Sequence, residues 1–462
     1  MGNDIASSGI LKHSAGNAWA HGAYLLSNSR VSSNSLLKRV VWAYILLLIF
    51  EGALRKWILP ELATPLLIVR DPLALWLLFK TWERGQLPAN SYLTTMVLVG
   101  VVGIFAAAFW GHGSLAVAMY GARVYLLHLP LIFVVGRVFN YQDVILVGKF
   151  LLWLAVPMTV LITLQFYSPQ SAWVNRGVGG DLEGAGFGGA LGYFRPPGTF
   201  SFTNGNTLYY SLLGCFVFYF WLERKDISRI LLICASICLI AAIPLSISRG
   251  LFFQAGVTMI FAIFAICRRP KFFKHFLVIM IGGTFAILLL NNVELYQTAT
   301  DAFTARYESA NNTEGGLQGV LGDRYIGGMV NSVAGSADFP FFGYGIGFGS
   351  NVGLMLLPGM QGERISDQEW ERIIIELGTI MGLIVISLRL SLSVKIAVAS
   401  YKSLVNGNLL PWMILSLGFL NILQAQWAQP TSLGFSVTIG GLMIASLRTG
   451  CEDSFDVKIY SS

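Results

Sequence analysis

The chain has 462 residues, of which 55% are hydrophobic and only 12% charged, with a mean hydropathy of +0.65. Soluble domains carry about 25% charged residues, so this composition excludes a soluble globular enzyme, a disordered chain and a disulfide-rich secreted domain. The formal net charge of +7 is read as a report on membrane topology, not as a nucleic-acid signature.

Residues 1–34 are polar and rich in Ser, Asn and Gly, with no apolar signal-peptide core, and are read as a cytoplasmic tail. A membrane-crossing helix needs ~20 predominantly apolar residues. The apolar runs predict an all-α polytopic membrane protein with about twelve transmembrane helices: 40–58, 63–80, 92–110, 115–136, 144–167, 206–222, 230–248, 251–267, 276–292, 372–391, 409–427 and 432–448. The first nine fill 35–292, around a loop at about 168–205; a large loop occupies 293–370. The last three fill 371–448, and 449–462 is a second cytoplasmic tail. Within the large loop, 294–310 and 323–334 read as short helices.

Placing the N-terminus inside puts about 20 of the 31 Lys and Arg residues on the inner side, evenly split between the two types. Every inner segment is then positive, and an even span count returns the C-terminus to the cytoplasm. The outer side holds Arg55, Lys56, Arg176, Arg195, Arg249, Arg306, Arg324, Arg364 and Arg372, eight of them arginine. Arginine's planar fork suits phosphate and carboxylate, so this bias points to an anion handled on the outer face. Four cysteines (Cys215, Cys234, Cys238, Cys267) lie in apolar runs and Cys451 in the tail, which gives no disulfide framework and no CxxC metal site.

Charges inside predicted spans are costly, ~2.5–3.5 kcal/mol each on insertion scales, and face the protein interior. Here they are Arg70 and Asp71 in the second span and Arg123 in the fourth, which also carries His128. Ser246-Ile247-Ser248-Arg249-Gly250 is a tight outer turn that presents an arginine. Arg195-Pro196-Pro197-Gly198-Thr199-Phe200, then Asn204 and Asn206, fixes the entry to the sixth span. In the large loop, Asp323-Arg324-Tyr325 opens a helix, and Gly343, Gly345, Gly347 and Gly349 alternate with larger residues. They read as a structural turn or as a sugar- or phosphate-contacting loop. Asp367, Glu369, Arg372 and Glu376 cluster where the loop re-enters the membrane; the last three share a helix face by i, i+3 and i+4 spacing. That cluster is either an ion-paired helix start or a general base beside a phosphate-binding arginine.

These elements, in this order, resemble the O-antigen ligase and Wzy-type polysaccharide polymerase superfamily over about 195–390. The resemblance is carried by Arg195-x-x-Gly198-Thr199-Phe200, by Ser248-Arg249-Gly250, and by Arg324, Pro340-x-x-Gly343-x-Gly345-x-Gly347 and Glu376-x-Gly378. Residues 50–57 (Phe-Glu-Gly-Ala-Leu-Arg-Lys-Trp) and Arg70-Asp71-Pro72 are similar to its exopolysaccharide-polymerase-like branch.

The resemblance implies a GT-C-like, metal-independent, inverting glycosyltransferase of the bacterial inner membrane, needing no cofactor, with its site on the periplasmic face. Its substrate is an undecaprenyl-pyrophosphate-linked oligosaccharide, transferred to another lipid-linked repeat unit. Membrane lipids and a chain-length regulator or export protein are the implied partners, and nucleic acid is not. Pyrophosphate binding falls to Arg249, Arg324, Arg195 and Arg372, with support from Arg123, Glu376, Tyr325 and Gly345. Many ligases carry a His-Asn pair where this chain has Asp367-Gln368. An acidic base, Glu369 or Asp367, is therefore expected. The alternatives are a ligase acting on lipid A-core and, in another class, a lipid-linked oligosaccharide flippase or transporter.

Overall fold

The computed structural model describes residues 34–87, 90–223, 227–314, 322, 327–335, 339–357, 359, 366 and 368–448. Almost all of it is helix. Seven helices are long and apolar enough to cross a membrane: Ser91–Phe109, Leu115–Val138, Tyr141–Tyr167, Arg249–Arg268, Pro270–Leu290, Glu369–Val405 and Pro430–Leu447. Arg229–Leu245 and Leu410–Gln424 are apolar but shorter. The protein is membrane-embedded. Both expected tails fall largely outside the described residues.

Helix α1 covers 34–53 and runs into a π-turn, Leu54–Ile58. Pro60 and Pro65 cannot extend a helix, because proline lacks the backbone N–H and its ring clashes with the preceding turn. Two 3-10 turns, Pro60–Leu62 and Pro65–Ile68, follow, and then α2, Asp71–Glu83. The second expected span is thus broken: 13 residues give roughly 20 Å of helix. Next come α3 (Ser91–Phe109), α4 (Leu115–Arg123), a π-turn (Val124–His128), α5 (Leu129–Val138) and α6 (Tyr141–Tyr167). The π-turn precedes Pro130, which has no N–H to offer the carbonyl of Leu126. Asn140 and Asp143 form a reciprocal capping box that starts α6.

A short hairpin, β1 (Gly188–Ala190) with β2 (Tyr193–Phe194), precedes α7 (Thr203–Leu222). Then follow α8 (Arg229–Leu245), α9 (Arg249–Arg268), α10 (Phe273–Leu290) and α11 (Glu294–Glu314). Helix α12 is Gly328–Ala334, α13 Asn351–Leu356, α14 Glu369–Val405, α15 Leu410–Gln424 and α16 Pro430–Leu447. Helix α16 is central: 94% of its apolar window is buried, against α5, α15, α7 and α6. Helix α10 is peripheral, with none of its window buried. An all-apolar helix with no buried face needs lipid as its solvent.

The expected straight span 372–391 is not what forms. Gly378, inside α14, has φ +76° and ψ 177°, which no side chain but glycine's tolerates well. A straight helix would place Glu369 and Arg389 ~30 Å apart; their side chains meet at 2.6 Å. The chain therefore turns back at Gly378, and Gly382 packs on Ile374. The glycine-rich loop seals the break. Tyr344 N donates to Ile375 O at 2.8 Å and Gly345 N to Glu376 O at 3.0 Å. A Cβ on Gly378 would lie 2.0 Å from Phe341 O.

Candidate functional site

Three of the arginines expected on the outer side come together. Backbone pairing of Arg195 N with Phe187 O at 2.8 Å sets Arg195 directly after the β-hairpin. Arg306, on α11, donates from Nη1 to the carbonyls of Gly188 and Gly189 in that hairpin, both at 3.1 Å. The hairpin in turn rests on Ile247, whose side chain fills the space where Gly189 would carry a Cβ. Ile247 is fully buried and holds φ +45°, an uncommon conformation for a β-branched residue. The strained turn delivers Ser248, which caps α9 through Leu251 N, and Arg249, the first residue of that helix. Burial, with Arg306 and Arg249 nearby, pushes the Arg195 guanidinium down to about 10. Its Nε is buried and has no hydrogen-bond partner among the described residues. Arg195, repelled by two neighbouring cations and with its Nε short of a partner among the described residues, makes this a place whose electrostatics suit an anion.

The segment after Arg195 is clamped from two sides. Gln165 takes both faces of the Gly198 peptide, accepting from its N–H at 2.8 Å and donating to its carbonyl at 3.2 Å. Lys56 Nζ donates to the same carbonyl at 2.7 Å. Arg55 Nη1 donates to Ser201 Oγ at 2.9 Å, and Thr199 Oγ1 to Ile49 O at 2.6 Å. Gly52 lies under Phe200 and Ser201, where an added Cβ would sit 2.3 Å from their backbone. The 50–57 motif is thus the seat of the 195–201 loop, a role its sequence did not disclose.

Several expected site residues are placed differently. Glu369, expected as a base, is 2% exposed and held by two arginines. It accepts from Arg372 Nε and Nη2, both at 2.9 Å, from Arg389 Nη1 at 2.6 Å and from Trp427 N at 3.2 Å. Oε1 takes three of these donors and Oε2 one, and two guanidinium groups stabilise the ionised carboxylate, so this buried geometry makes Glu369 an anchor and a weak acceptor for a hydroxyl proton. Arg372, expected at a pyrophosphate, is neutralised by Glu369 and by Glu376, 2.7 Å away. Glu376 also accepts from Gly347 N at 3.2 Å and Gly349 N at 2.9 Å, which ties the glycine loop to α14. Gly345, at φ +107°, lets that loop pass α3, with Ala107 and His112 close by. Arg123 has the partner its sequence left unnamed: Nη1 donates to both Asp71 oxygens at 3.0 and 2.9 Å. His128 Nε2 meets Asp71 Oδ1 at 2.9 Å and its Nδ1 meets the Tyr44 hydroxyl at 3.2 Å. Arg70, on the same turn as Asp71, pairs with Glu51 at 3.2 Å. Arg324, Tyr325 and Asp367 lie outside the described residues.

Two residues were missed. Arg306 stood only in the list of outer arginines, and its place on an amphipathic helix beside the loop was the available signal. Arg389 was counted with the inner charges; only the reversal at Gly378 brings it to Glu369.

A cavity of about 460 Å³ opens between α7, α9, α15 and the α15–α16 connection. It adjoins the arginine turn: Thr207, between the lining residues Asn204 and Leu208 on α7, bonds Ser248 at 2.9 Å. Gln254, five residues beyond Arg249 on α9, also lines it. Comparison with family models, with curated proteins and with solved structures finds no match for this chain.

Proposed function

We propose that the protein is a polysaccharide polymerase, a GT-C-like glycosyltransferase that crosses the bacterial inner membrane twelve times. Helices α1, α2 and α7 then complete the nine apolar helices, both termini are cytoplasmic, and the arginine cluster faces the periplasm. The observation that carries the reading is the convergence of Arg195, Arg249 and Arg306 beside a polar cavity. In this reading they bind the pyrophosphate of an undecaprenyl-linked oligosaccharide.

An acceptor hydroxyl of a second lipid-linked unit attacks the anomeric carbon from the face opposite the pyrophosphate. The new C–O bond forms as the glycosyl–phosphate bond breaks, with inversion, and the pyrophosphate leaves carrying the bonding pair. Preorganised guanidinium groups stabilise that growing charge. The hydroxyl proton passes to a base, for which Asp367, the residue that precedes Gln368 in the sequence, is proposed in place of Glu369. Membrane lipids surround the enzyme, and a chain-length regulator is the proposed protein partner.

The test is the purified protein in nanodiscs with lipid-linked repeat units from its own host and no other acceptor. A ladder of lengthening products supports polymerisation. Transfer only after lipid A-core is supplied makes the protein a ligase. Movement of intact substrate across a vesicle bilayer, without transfer, makes it a transporter.

A further inference from the structure

We infer that the 460 Å³ cavity beside the arginine cluster is a binding site for neutral sugar residues, read through carboxamides rather than charges. The inference deepens the polymerase reading and rests on it for the identity of the glycan. Seven of the thirteen residues lining the cavity are Asn or Gln, four are Leu or Ala, one is Ser and one is Glu369. The one carboxylate among the described lining residues is held by its arginines and is of the wrong sign for an acidic sugar. A volume of this size lies in the ordinary range for small-ligand pockets, ~300–1,000 Å³.

Carboxamides present an acceptor and two donors in one plane, matching the alternating donors and acceptors of vicinal hydroxyls and N-acetyl groups. Three of them are held in place by one end and open at the other, while Gln429 Nε2 donates to Gln426 Oε1 at 2.5 Å. Asn204 Nδ2 donates to Ser432 Oγ at 2.8 Å, which leaves its Oδ1. Asn421 Oδ1 accepts from Ser436 Oγ at 2.6 Å, which leaves its Nδ2. Gln254 Nε2 donates to Ser416 O at 3.0 Å, which leaves its Oε1. Gln424 Oε1 is buried with no hydrogen-bond partner among the described residues. A buried acceptor left unpaired costs about 1–3 kcal/mol, a cost a ligand hydroxyl would remove. The site adjoins the arginine turn along α7 and α9, which lets one ligand carry a sugar in the cavity and an anion toward Arg249.

The experiment uses the full-length protein in nanodiscs and the oligosaccharide pool released by mild acid from the host's isoprenoid carriers, split into neutral and anionic fractions. Retention of each fraction is read by mass spectrometry, and inorganic pyrophosphate binding is titrated separately. The neutral fraction is expected to be retained, and a Gln254→Leu, Gln424→Leu variant to lose at least tenfold of that retention while still binding pyrophosphate. A second measurement does not depend on that variant folding. In Leu420→Cys, at an exposed lining position and with the native cysteines replaced by Ser, the neutral fraction should slow alkylation by a charged maleimide at least threefold, and the anionic fraction should not. Retention of the anionic fraction alone, equal retention by the variant, or no retention while pyrophosphate still binds would each overturn the inference. Loss of pyrophosphate binding in the wild-type protein, with neutral sugar retained, would instead sink the polymerase reading and leave the sugar site standing.

Discussion

Replacing Glu369 by Gln separates an anchor from a base. Glu369 and Arg389 have side chains 0% and 1% exposed, joined at 2.6 Å. Arg372 keeps Glu376 if Glu369 is neutralised. Among the described residues, Arg389 keeps the carbonyls of Ile422 and Ala425, both at 2.8 Å, and the ring of Trp427. Breaking a buried pair from one side costs about 3–5 kcal/mol, because the remaining charge is stranded away from water. Glu369→Gln is therefore expected to lose about that much stability, read by denaturant-dependent unfolding in detergent. The folded fraction should retain turnover within a fewfold. The double variant Glu369→Gln, Arg389→Met should recover most of the loss, since it removes the stranded cation. The opposite result is equally legible: a variant within about 1 kcal/mol of wild type whose turnover falls by the ~10²–10⁴ expected of a lost general base. That outcome would refute the anchor and restore Glu369 as the base.

Gly378→Ala must place a Cβ 2.0 Å from Phe341 O at φ +76° and should cost more than about 3 kcal/mol. Gly256→Ala, with nothing within 4 Å of its Cβ, should be neutral or slightly stabilising in the same unfolding assay. Arg249→Ala and Arg306→Ala should each leave the spans folded and lower polymerisation about 10²–10³-fold. Their loss of pyrophosphate binding, followed by titration, should shrink as salt rises. Gly52→Ala pushes a Cβ to within 2.3 Å of the Phe200 and Ser201 backbone. It should abolish turnover while circular dichroism stays helical, and unchanged turnover would show that the loop's position is immaterial.

Where one helix buries one apolar run, its place was legible. The runs 92–110, 144–167 and 251–267 became Ser91–Phe109, Tyr141–Tyr167 and Arg249–Arg268. Hydropathy failed where backbone chemistry overrode it. Pro65 broke the second run, and Gly378 turned the expected 372–391 span back on itself. A glycine in such a stretch does not announce a positive φ; that depends on the Phe341 carbonyl arriving from a distant loop. The Glu369–Arg372–Glu376 cluster was legible because helical spacing is local. The Arg389 partner was not, because it lies across the reversal. Residue types also left roles undecided: Arg372 and Arg249 are both arginines expected near an anion, and only packing shows that Arg372 is already paired with two carboxylates.

The buried charges form a chain whose signs do not balance. Arg70, Arg123, Arg372 and Arg389 are buried and faced by Glu51, Asp71, Glu369 and Glu376. Arg55 and Lys56 are buried as well, but Glu51 reaches Arg55 only at 3.6 Å while holding Arg70 at 3.2 Å, and Lys56 donates to a neutral carbonyl. Burial pushes the Lys56 ammonium down to about 7, so the excess positive charge against the Gly198–Ser201 segment is chiefly that of Arg55. Arg195 lies three residues before Gly198, so their Cα atoms are at most about 11 Å apart. In a low-dielectric surrounding that field is weakly screened and adds to the potential of Arg195, Arg249 and Arg306. Burying uncompensated cations in a membrane protein is costly. Here the cost falls next to the three clustered arginines, where a bound pyrophosphate would offset it. The 50–57 motif then does two things: Arg55 and Lys56 seat the loop, and the charge of Arg55 adds to the positive potential of the proposed anion site.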